Sequence, residues 1–142
     1  MERSALGIDH GTKRTGFAVT DPLRLSVQPL DVCQKPGDSD ELCDHVAGLL
    51  DDRDVDVFVV GQPLNMDGST GPRAADVEAF CKRLRERFPD VAIVLVDERL
   101  TTKEAESRLT DAGYRGQERK ARKDSWSAAL LLEDWIRAGE PR

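Results

Sequence analysis

The chain has 142 residues and a net charge of −6, and 39% of its residues are hydrophobic. We expect residues 1–142 to form a single domain, because this length suits one hydrophobic core. No stretch approaches the roughly 20 apolar residues of a membrane span, and no secretory signal precedes the first predicted strand, so a membrane partner is not expected. The three cysteines are widely spaced and are predicted to be free thiols in a reducing compartment.

The first predicted strand, residues 4–9, ends in a carboxylate. Strand alternation places Ala5, Gly7 and Asp9 on one face, where small side chains allow another element to approach closely. A glycine-containing basic turn follows at residues 11–14. This stretch is also compatible with a plain hairpin in which Asp9 is only a turn residue.

Two further strands are predicted at about 15–20 and within 25–33. Pro29 inside the third indicates an edge strand or a bulge, because proline cannot donate to the ladder. Short connections join the three strands, which predicts an antiparallel meander.

The pattern then alternates between helix and strand, which predicts a mixed sheet with helices on its faces. Residues 114–122 are polar and basic and are predicted to be irregular. The first predicted elements of this part are a helix capped by Asp38 and Glu41, a buried strand at 55–60 and a helix at 73–88. A buried strand at 91–96, a helix at 101–112 and a last helix at 124–138 follow.

Positive charge is concentrated in one segment of this acidic chain. Residues 99–123 contain eight cations and four acids, a local charge of +4, which leaves −10 for the remainder. Such a basic segment is typical of a polyanion-binding surface, although it is also compatible with a solvated loop.

Acidic residues stand at the ends of several elements. Asp9 ends the first strand, Asp97 and Glu98 end the last one, and Asp124 opens the last helix. Asp97 and Glu98 must point to opposite faces, and we favour Glu98 as the one that reaches Asp9. Asp124 shares a helical face with Ala128, whose small side chain allows this helix to lie against the first strand.

Carboxylates gathered at one sheet edge repel each other unless a cation lies between them. Mg²⁺ prefers oxygen ligands of this kind, and two such ions assist phosphodiester hydrolysis. Structural interpretations remain open for each residue. Asp124 is compatible with a helix cap, Asp97 with a solvated strand end, Asp67 with an Asx turn, His10 and His45 with surface or edge positions, and Trp126 and Trp135 with the core.

Four blocks, in this order, resemble the YqgF (RuvX) family. They are residues 7–16, GIDHGTKRTG; residues 60–73, VGQPLNMDGSTGPR; residues 97–102, DERLTT; and residues 123–129, KDSWSAA. Each block alone is weakly specific, but together they span nearly the whole chain. One departure is Trp126-Ser127, which stands where smaller aliphatic residues are usual.

The resemblance implies a ribonuclease H-like fold, with three antiparallel strands followed by two parallel ones and helices on the flanks. It also implies a cytoplasmic, metal-dependent nuclease in which Asp9, Glu98 and Asp124 are catalytic and bind Mg²⁺ or Mn²⁺, with two ions when substrate is bound. The residues expected to contact nucleic acid are Lys13, Arg14, Arg99, Arg115, Arg119, Lys120, Arg122 and Lys123.

The leading functional hypothesis is maturation of the 5′ end of precursor 16S ribosomal RNA, with ribosomal particles as a further partner. Resolution of Holliday junctions in DNA is the alternative substrate class, and the sequence leaves open whether the chain is a monomer or a homodimer. Two other classes stay open. They are a non-catalytic ribosome-assembly factor that binds nucleic acid, and a phosphate-binding kinase-like module suggested by residues 9–13, although such proteins need two domains.

Overall fold

The computed structural model describes residues 3–65, 67–98 and 101–142. Over these ranges the chain forms five strands and four helices. In chain order they are β1 (Ser4–Asp9), β2 (Gly16–Thr20), β3 (Val27–Pro29), α1 (Asp40–Asp51), β4 (Val55–Gln62), α2 (Pro72–Arg87), β5 (Ala92–Asp97), α3 (Thr101–Asp111) and α4 (Gly116–Arg137).

The strands form one mixed sheet in the order β3-β2-β1-β4-β5. Strands β1, β2 and β3 pair as an antiparallel meander, whereas β4 pairs in parallel with both β1 and β5. This confirms the predicted architecture, including the edge position of the strand that contains Pro29. The carboxyl ends of β1, β4 and β5 therefore meet at one edge of the sheet.

The two faces of the sheet carry different cores. Leu6 and Ile8 of β1 face α1 and α2 and belong to the larger cluster of buried side chains. Ala5 lies on the other face, in a cluster with Ala128 and Leu132 of α4. The alternation predicted for the first strand is therefore confirmed, and Asp9 lies on the α4 face.

Small residues let α4 lie very close to this face. A Cβ atom at Gly7 would come within 2.7 Å of Leu132 Cγ and 2.8 Å of the Ala128 carbonyl oxygen. These distances are shorter than ordinary van der Waals contacts, so a larger residue at position 7 would push the helix away. The predicted close approach at Gly7 is thus present.

The basic segment differs from the sequence prediction. Residues 116–122 belong to α4 instead of forming an irregular loop, and Asp124 lies inside the helix instead of opening it. Gln, Glu, Arg, Lys and Ala are good helix formers, and the segment contains no proline. The segment lacks large apolar residues, which is why its sequence suggests a loop. In the structure this means only that the first turns of α4 pack little against the hydrophobic core.

Two smaller predictions are also corrected. Ser39, not Asp38, caps α1, because its Oγ accepts a hydrogen bond from the backbone N–H of Leu42. Strand β5 is half-exposed instead of buried, because it is an edge strand of the sheet.

The three cysteines are free thiols and are buried, as predicted. Across the described ranges, no helix combines the length and hydropathy needed to cross a membrane.

Candidate active site

Asp9 and Glu98 come together at the edge where β1, β4 and β5 end. Asp9 is the last residue of β1, and Glu98 directly follows β5. The backbone N–H of Glu98 donates to the carbonyl of Gln62, 3.2 Å away, which continues the β4–β5 ladder by one residue. The carboxyl groups of Asp9 and Glu98 are hydrogen-bonded to each other.

A glycine on the strand between them makes this contact possible. A side chain at Gly61 of β4 would collide with the Glu98 carboxylate and would lie 2.9 Å from Leu131 Cδ1 of α4. The Glu98 side chain therefore occupies the space above Gly61 and extends toward Asp9 on the α4 face. The sequence preference for Glu98 over Asp97, which is exposed, agrees with this placement.

Burial raises the pKa of Asp9 well above its ordinary value, and the nearby charges of Glu98 and Asp124 raise it further, while Lys123 opposes them. Burial also raises the pKa of Glu98, while its hydrogen bond with Asp9 and the charge of Arg73 lower it. A hydrogen bond between two carboxyl groups needs one proton. The hydrogen-bonded pair therefore carries one proton, and the burial of both groups favours it.

The backbone of α4 brings Asp124 close to the Asp9–Glu98 pair. Gly16 of β2 lies directly opposite Asp9 in the sheet. A Cβ atom at Gly16 would collide with the backbone carbonyl of Asp124, so the helix rests on this glycine. The Asp124 carboxylate accepts a hydrogen bond of 3.1 Å from Arg14 Nε.

The neighbouring serine fixes the register of α4 on the sheet. Ser125 is buried, and its Oγ accepts a hydrogen bond of 3.1 Å from the backbone N–H of Phe17 in β2. Ser127 is also buried in α4, but its hydroxyl finds no hydrogen-bond partner among the residues that the structure describes. A polar residue beside Asp124 on a buried helix face is the sequence signal for this anchor.

We expect Ser125→Ala to destabilise the chain by about 1–3 kcal/mol, because it leaves a buried N–H group without an acceptor. The matched control, Ser127→Ala, should be neutral or slightly stabilising, because the hydroxyl that it removes is unpaired. Urea denaturation followed by circular dichroism measures both. Equal losses in the two variants would contradict the anchoring role of Ser125.

The acidic residues suit a hard divalent cation. Mg²⁺ and Mn²⁺ prefer oxygen ligands, and Mg²⁺ is commonly held by one or two carboxylates, waters and substrate phosphate. Asp9 and Glu98 supply two such groups, and a cation between them would relieve the repulsion that raises the pKa of Asp9. In the described ranges no three acidic, histidine or cysteine side chains are gathered as a ready metal site. To bind a metal ion at this site, the Asp124 carboxylate would have to release its hydrogen bond with Arg14.

The predicted phosphate-binding cations are divided between the site and its surroundings. Arg14 pairs with Asp124, and Lys123 lies near enough to lower the pKa of Asp9. Lys13 and Lys120 are exposed. The others, Arg115, Arg119 and Arg122, lie at the corner between α3 and α4. Arg115 donates to the carbonyls of Thr110 and Tyr114, and Arg119 donates to the Thr110 hydroxyl. The guanidinium of Arg122 lies 4.5 Å from the centre of the Tyr114 ring. Arg99 is outside the described residues.

A surface or an edge position is predicted for His10, and the surface position is wrong, because His10 is buried on the opposite face of the sheet, directly after β1. Its Nε2 is 2.9 Å from the Gly37 carbonyl, and its ring stacks on Phe80. Arg73 Nη2 lies 3.1 Å from His10 Nδ1 and donates to the His10 carbonyl at 2.8 Å. Because Arg73 can only donate, Nδ1 is the acceptor and Nε2–H donates to Gly37. Burial lowers the pKa of His10, in agreement with a neutral ring.

Arg73 links this buried histidine to the acidic pair, since its charge also lowers the pKa of Glu98. Arg73 belongs to the second block that resembles the family, but the sequence assigns it no role, because its partners lie far away along the chain.

Asp67 accepts hydrogen bonds from the N–H and hydroxyl of Ser69 at 2.9 and 2.6 Å, which confirms the Asx turn. Trp135 is buried in the core as predicted, whereas Trp126 is half-buried beside Tyr114.

Similarity to known proteins agrees with this fold. Residues 3–138 match the family model described as "RuvX: Holliday junction resolvase". A protein of Anaeromyxobacter sp. is 40% identical over 131 residues, which cover 92% of this chain and 94% of that protein. A protein of Halalkalibacterium halodurans is 39% identical over 133 residues, with the same coverage of the two chains. Both carry the name "Putative pre-16S rRNA nuclease".

Two solved structures share the fold at low sequence identity. Thermus thermophilus RuvC in complex with a Holliday junction substrate superposes with a TM-score of 0.59 at 15% identity, covering 97% of both chains. The fowlpox virus resolvase in complex with Holliday junction DNA gives 0.53 at 9% identity, covering 94% of this chain and 99% of that one. These likenesses identify the ribonuclease H-like fold of resolvases, and the match over residues 3–138 establishes that the chain belongs to the RuvX family.

Proposed function

We propose that the chain is a metal-dependent nuclease that hydrolyses phosphodiester bonds in structured nucleic acid, and that residues 1–142 act as one domain. The observation that carries this proposal is the hydrogen-bonded pair of Asp9 and Glu98 at the sheet edge. Two carboxyl groups that share a proton in a partly buried site are unfavourable for stability, and a divalent cation relieves that cost. Perturbed carboxyl groups of this kind are common at catalytic sites.

In this proposal Asp9, Glu98 and Asp124 hold Mg²⁺ or Mn²⁺, with two ions when substrate is present. Such ions, when bound, activate water and stabilise charge that develops on the phosphate. Arg14 is held beside Asp124 and would bind the substrate phosphate once Asp124 turns toward the metal. Lys123 lies near Asp9 and would contribute positive charge close to the reacting group.

The substrate that we favour is the 5′ end of precursor 16S ribosomal RNA, with ribosomal particles as the setting. The names of the relatives at 39–40% identity support this choice. Branched DNA is the second candidate, which the description of the matching family model favours. Cutting a junction symmetrically requires two coordinated sites and therefore a homodimer, whereas trimming an RNA end requires only a monomer.

The test is a cleavage assay with the purified chain and Mn²⁺ on two substrates, a precursor ribosomal RNA with its 5′ extension and a four-way DNA junction. We expect the RNA to be cut at the mature 5′ end and the activity to disappear in EDTA. Cleavage of the junction but not of the RNA would favour the second candidate substrate, branched DNA. Binding of either substrate without cleavage would favour a non-catalytic assembly factor.

The exposed cation Lys120, near the start of α4, is expected to contact phosphate. Lys120→Ala should weaken RNA binding and reduce the slope of log K against log salt by about 0.7–0.9, since one fewer counterion is released. Lys82→Ala is the matched control, an exposed lysine on α2 at the other face of the sheet, and should leave the slope unchanged. Fluorescence anisotropy at several salt concentrations measures the binding constants from which the two slopes are obtained. The same slope for Lys120→Ala and the wild type would remove this residue from the interface.

A further inference from the structure

A cavity of about 220 Å³ lies next to His10, on the α2 face of the sheet. Its walls come from the turn after β1, the loop before α1, and α2. Two of its lining residues connect it to the proposed active site. His10 directly follows Asp9, and Arg73 binds His10 while its charge acts on Glu98. These neighbouring residues connect the cavity to the acidic pair.

The lining of the cavity offers both hydrogen-bond donors and acceptors. Asp38 and Asp76 are acceptors, Arg83 is a donor, and the exposed Thr12 hydroxyl is either. Asp76 already binds Arg73, and Arg83 also binds Asp40, but each group retains capacity for further hydrogen bonds. The edges of nucleobases present donors and acceptors side by side, as this lining does. The charges of the two carboxylates are balanced by those of Arg73 and Arg83, so the lining has no excess positive charge to select a phosphate group.

The remaining wall is apolar and includes Ala79 and Phe80 of α2. Phe80 is itself buried and stacked on His10. Proteins that read unpaired bases commonly combine an apolar surface for the base face with polar groups for its edge. A cavity of about 150 Å³ can hold a benzene ring, so this cavity of about 220 Å³ has room for one aromatic base.

We propose that this cavity binds the base of one unpaired nucleotide next to the scissile phosphodiester. The proposal rests on the proposed nuclease function and deepens it, because it makes a single-stranded position beside the cleavage site part of substrate recognition. It predicts that a fully paired duplex through this position is a poor substrate.

The test fills the cavity without touching the acidic residues. Ala79 is exposed and lines the cavity, so Ala79→Leu places a larger side chain inside it. Ala75→Leu is the matched control, an exposed alanine one helical turn away that does not line the cavity. The probe is a fluorescein-labelled RNA with a short single-stranded 5′ extension, prepared also as a series with one abasic position each. Binding is measured by anisotropy with Ca²⁺ in place of Mn²⁺.

We expect Ala79→Leu to weaken RNA binding about 10-fold, in line with the contribution of one bound base, and Ala75→Leu to bind as the wild type does. One abasic position should weaken wild-type binding by a similar factor and should have no further effect on Ala79→Leu, because both changes remove the same contact. Additive effects of the two changes, wild-type binding by Ala79→Leu, or no binding of the RNA by the wild type would overturn the proposal. Failure of the proposed function is seen separately, as no cleavage by the wild-type chain with Mn²⁺.

Discussion

Replacing Asp9 by asparagine is expected to abolish cleavage and, at the same time, to make the folded chain more stable. Asparagine has nearly the same shape, and its amide can donate a hydrogen bond to Glu98. It carries no negative charge with which to bind a cation. Loss of a single group that stabilises charge at a reacting centre commonly lowers the rate by about 10²–10³-fold, and loss of a metal ligand is expected to cost at least as much.

The gain in stability follows from the direction of the Asp9 pKa. Burial and the charges of Glu98 and Asp124 raise the pKa of Asp9 in the folded chain above its ordinary value of 3.8. Between that value and the raised pKa, the folded chain binds more protons than the unfolded chain, so its stability falls as the pH rises through this window. Asparagine does not titrate. The difference in melting temperature between Asp9→Asn and the wild type should therefore be small below pH 4 and grow toward neutral pH.

Thermal unfolding with and without Mn²⁺ separates the two effects of this substitution. Without metal at pH 7, Asp9→Asn should melt above the wild type, and a difference of about 1 kcal/mol would correspond to a few degrees for a chain of this size. Added Mn²⁺ should raise the melting temperature of the wild type more than that of the variant, because a ligand that binds only the folded state stabilises it.

Asp90→Asn is the matched control, because Asp90 is an exposed carboxylate in the turn before β5, away from the acidic pair. It should keep wild-type activity, the wild-type response to Mn²⁺ and nearly the same melting temperature. Full cleavage by Asp9→Asn would remove Asp9 from the reaction. A lower melting temperature for Asp9→Asn at pH 7 would show that the Asp9 carboxylate stabilises the fold, contrary to the electrostatics of the site.

The sequence was informative where local rules decide the structure. Alternation along β1 identified the face that carries Gly7 and Asp9, and the position of Pro29 identified an edge strand. The same rules fail for residues 116–122, because their polar composition suggests a loop although the residues favour a helix. The sequence therefore predicts a start of α4 that is too late and places Asp124 in its first turn.

Contacts between distant segments could not be predicted in this way. Gly16 and Gly61 are important because of what packs on them, and that depends on strand order and on the path of α4. Burial of His10 likewise depends on Gly37 and Arg73, which approach it from other parts of the chain. Such residues look ordinary in the sequence, since their role is set by long-range register.

Substitution of Gly16 by alanine is expected to have the largest effect on both stability and site geometry. The added Cβ would collide with the backbone carbonyl of Asp124, and a backbone group inside a helix cannot move aside as a flexible side chain does. The helix would have to shift as a unit, which would also stretch the hydrogen bond between Phe17 N–H and Ser125 Oγ. Overpacking of this kind costs about 1–3 kcal/mol, and the broken hydrogen bond adds to it.

Gly48→Ala is the control for this substitution. Gly48 lies inside α1, and a Cβ atom there would meet nothing within 4 Å. Alanine at this position should stabilise the chain by about 0.5–1 kcal/mol, because glycine is unfavourable inside a helix. The same chemical change is thus expected to have opposite signs at the two positions, which excludes a general effect of replacing glycine.

Activity measured well below the melting temperature distinguishes a displaced helix from a partly unfolded chain. If circular dichroism shows Gly16→Ala to be fully folded, cleavage should still fall by about 10²-fold, because a shift of about 1 Å in a catalytic group can have that effect. The displaced carboxylate would be that of Asp124, while Asp9 and Glu98 keep their positions in the sheet. Wild-type stability and cleavage in Gly16→Ala would instead mean that α4 does not need this close contact to bring Asp124 to the site.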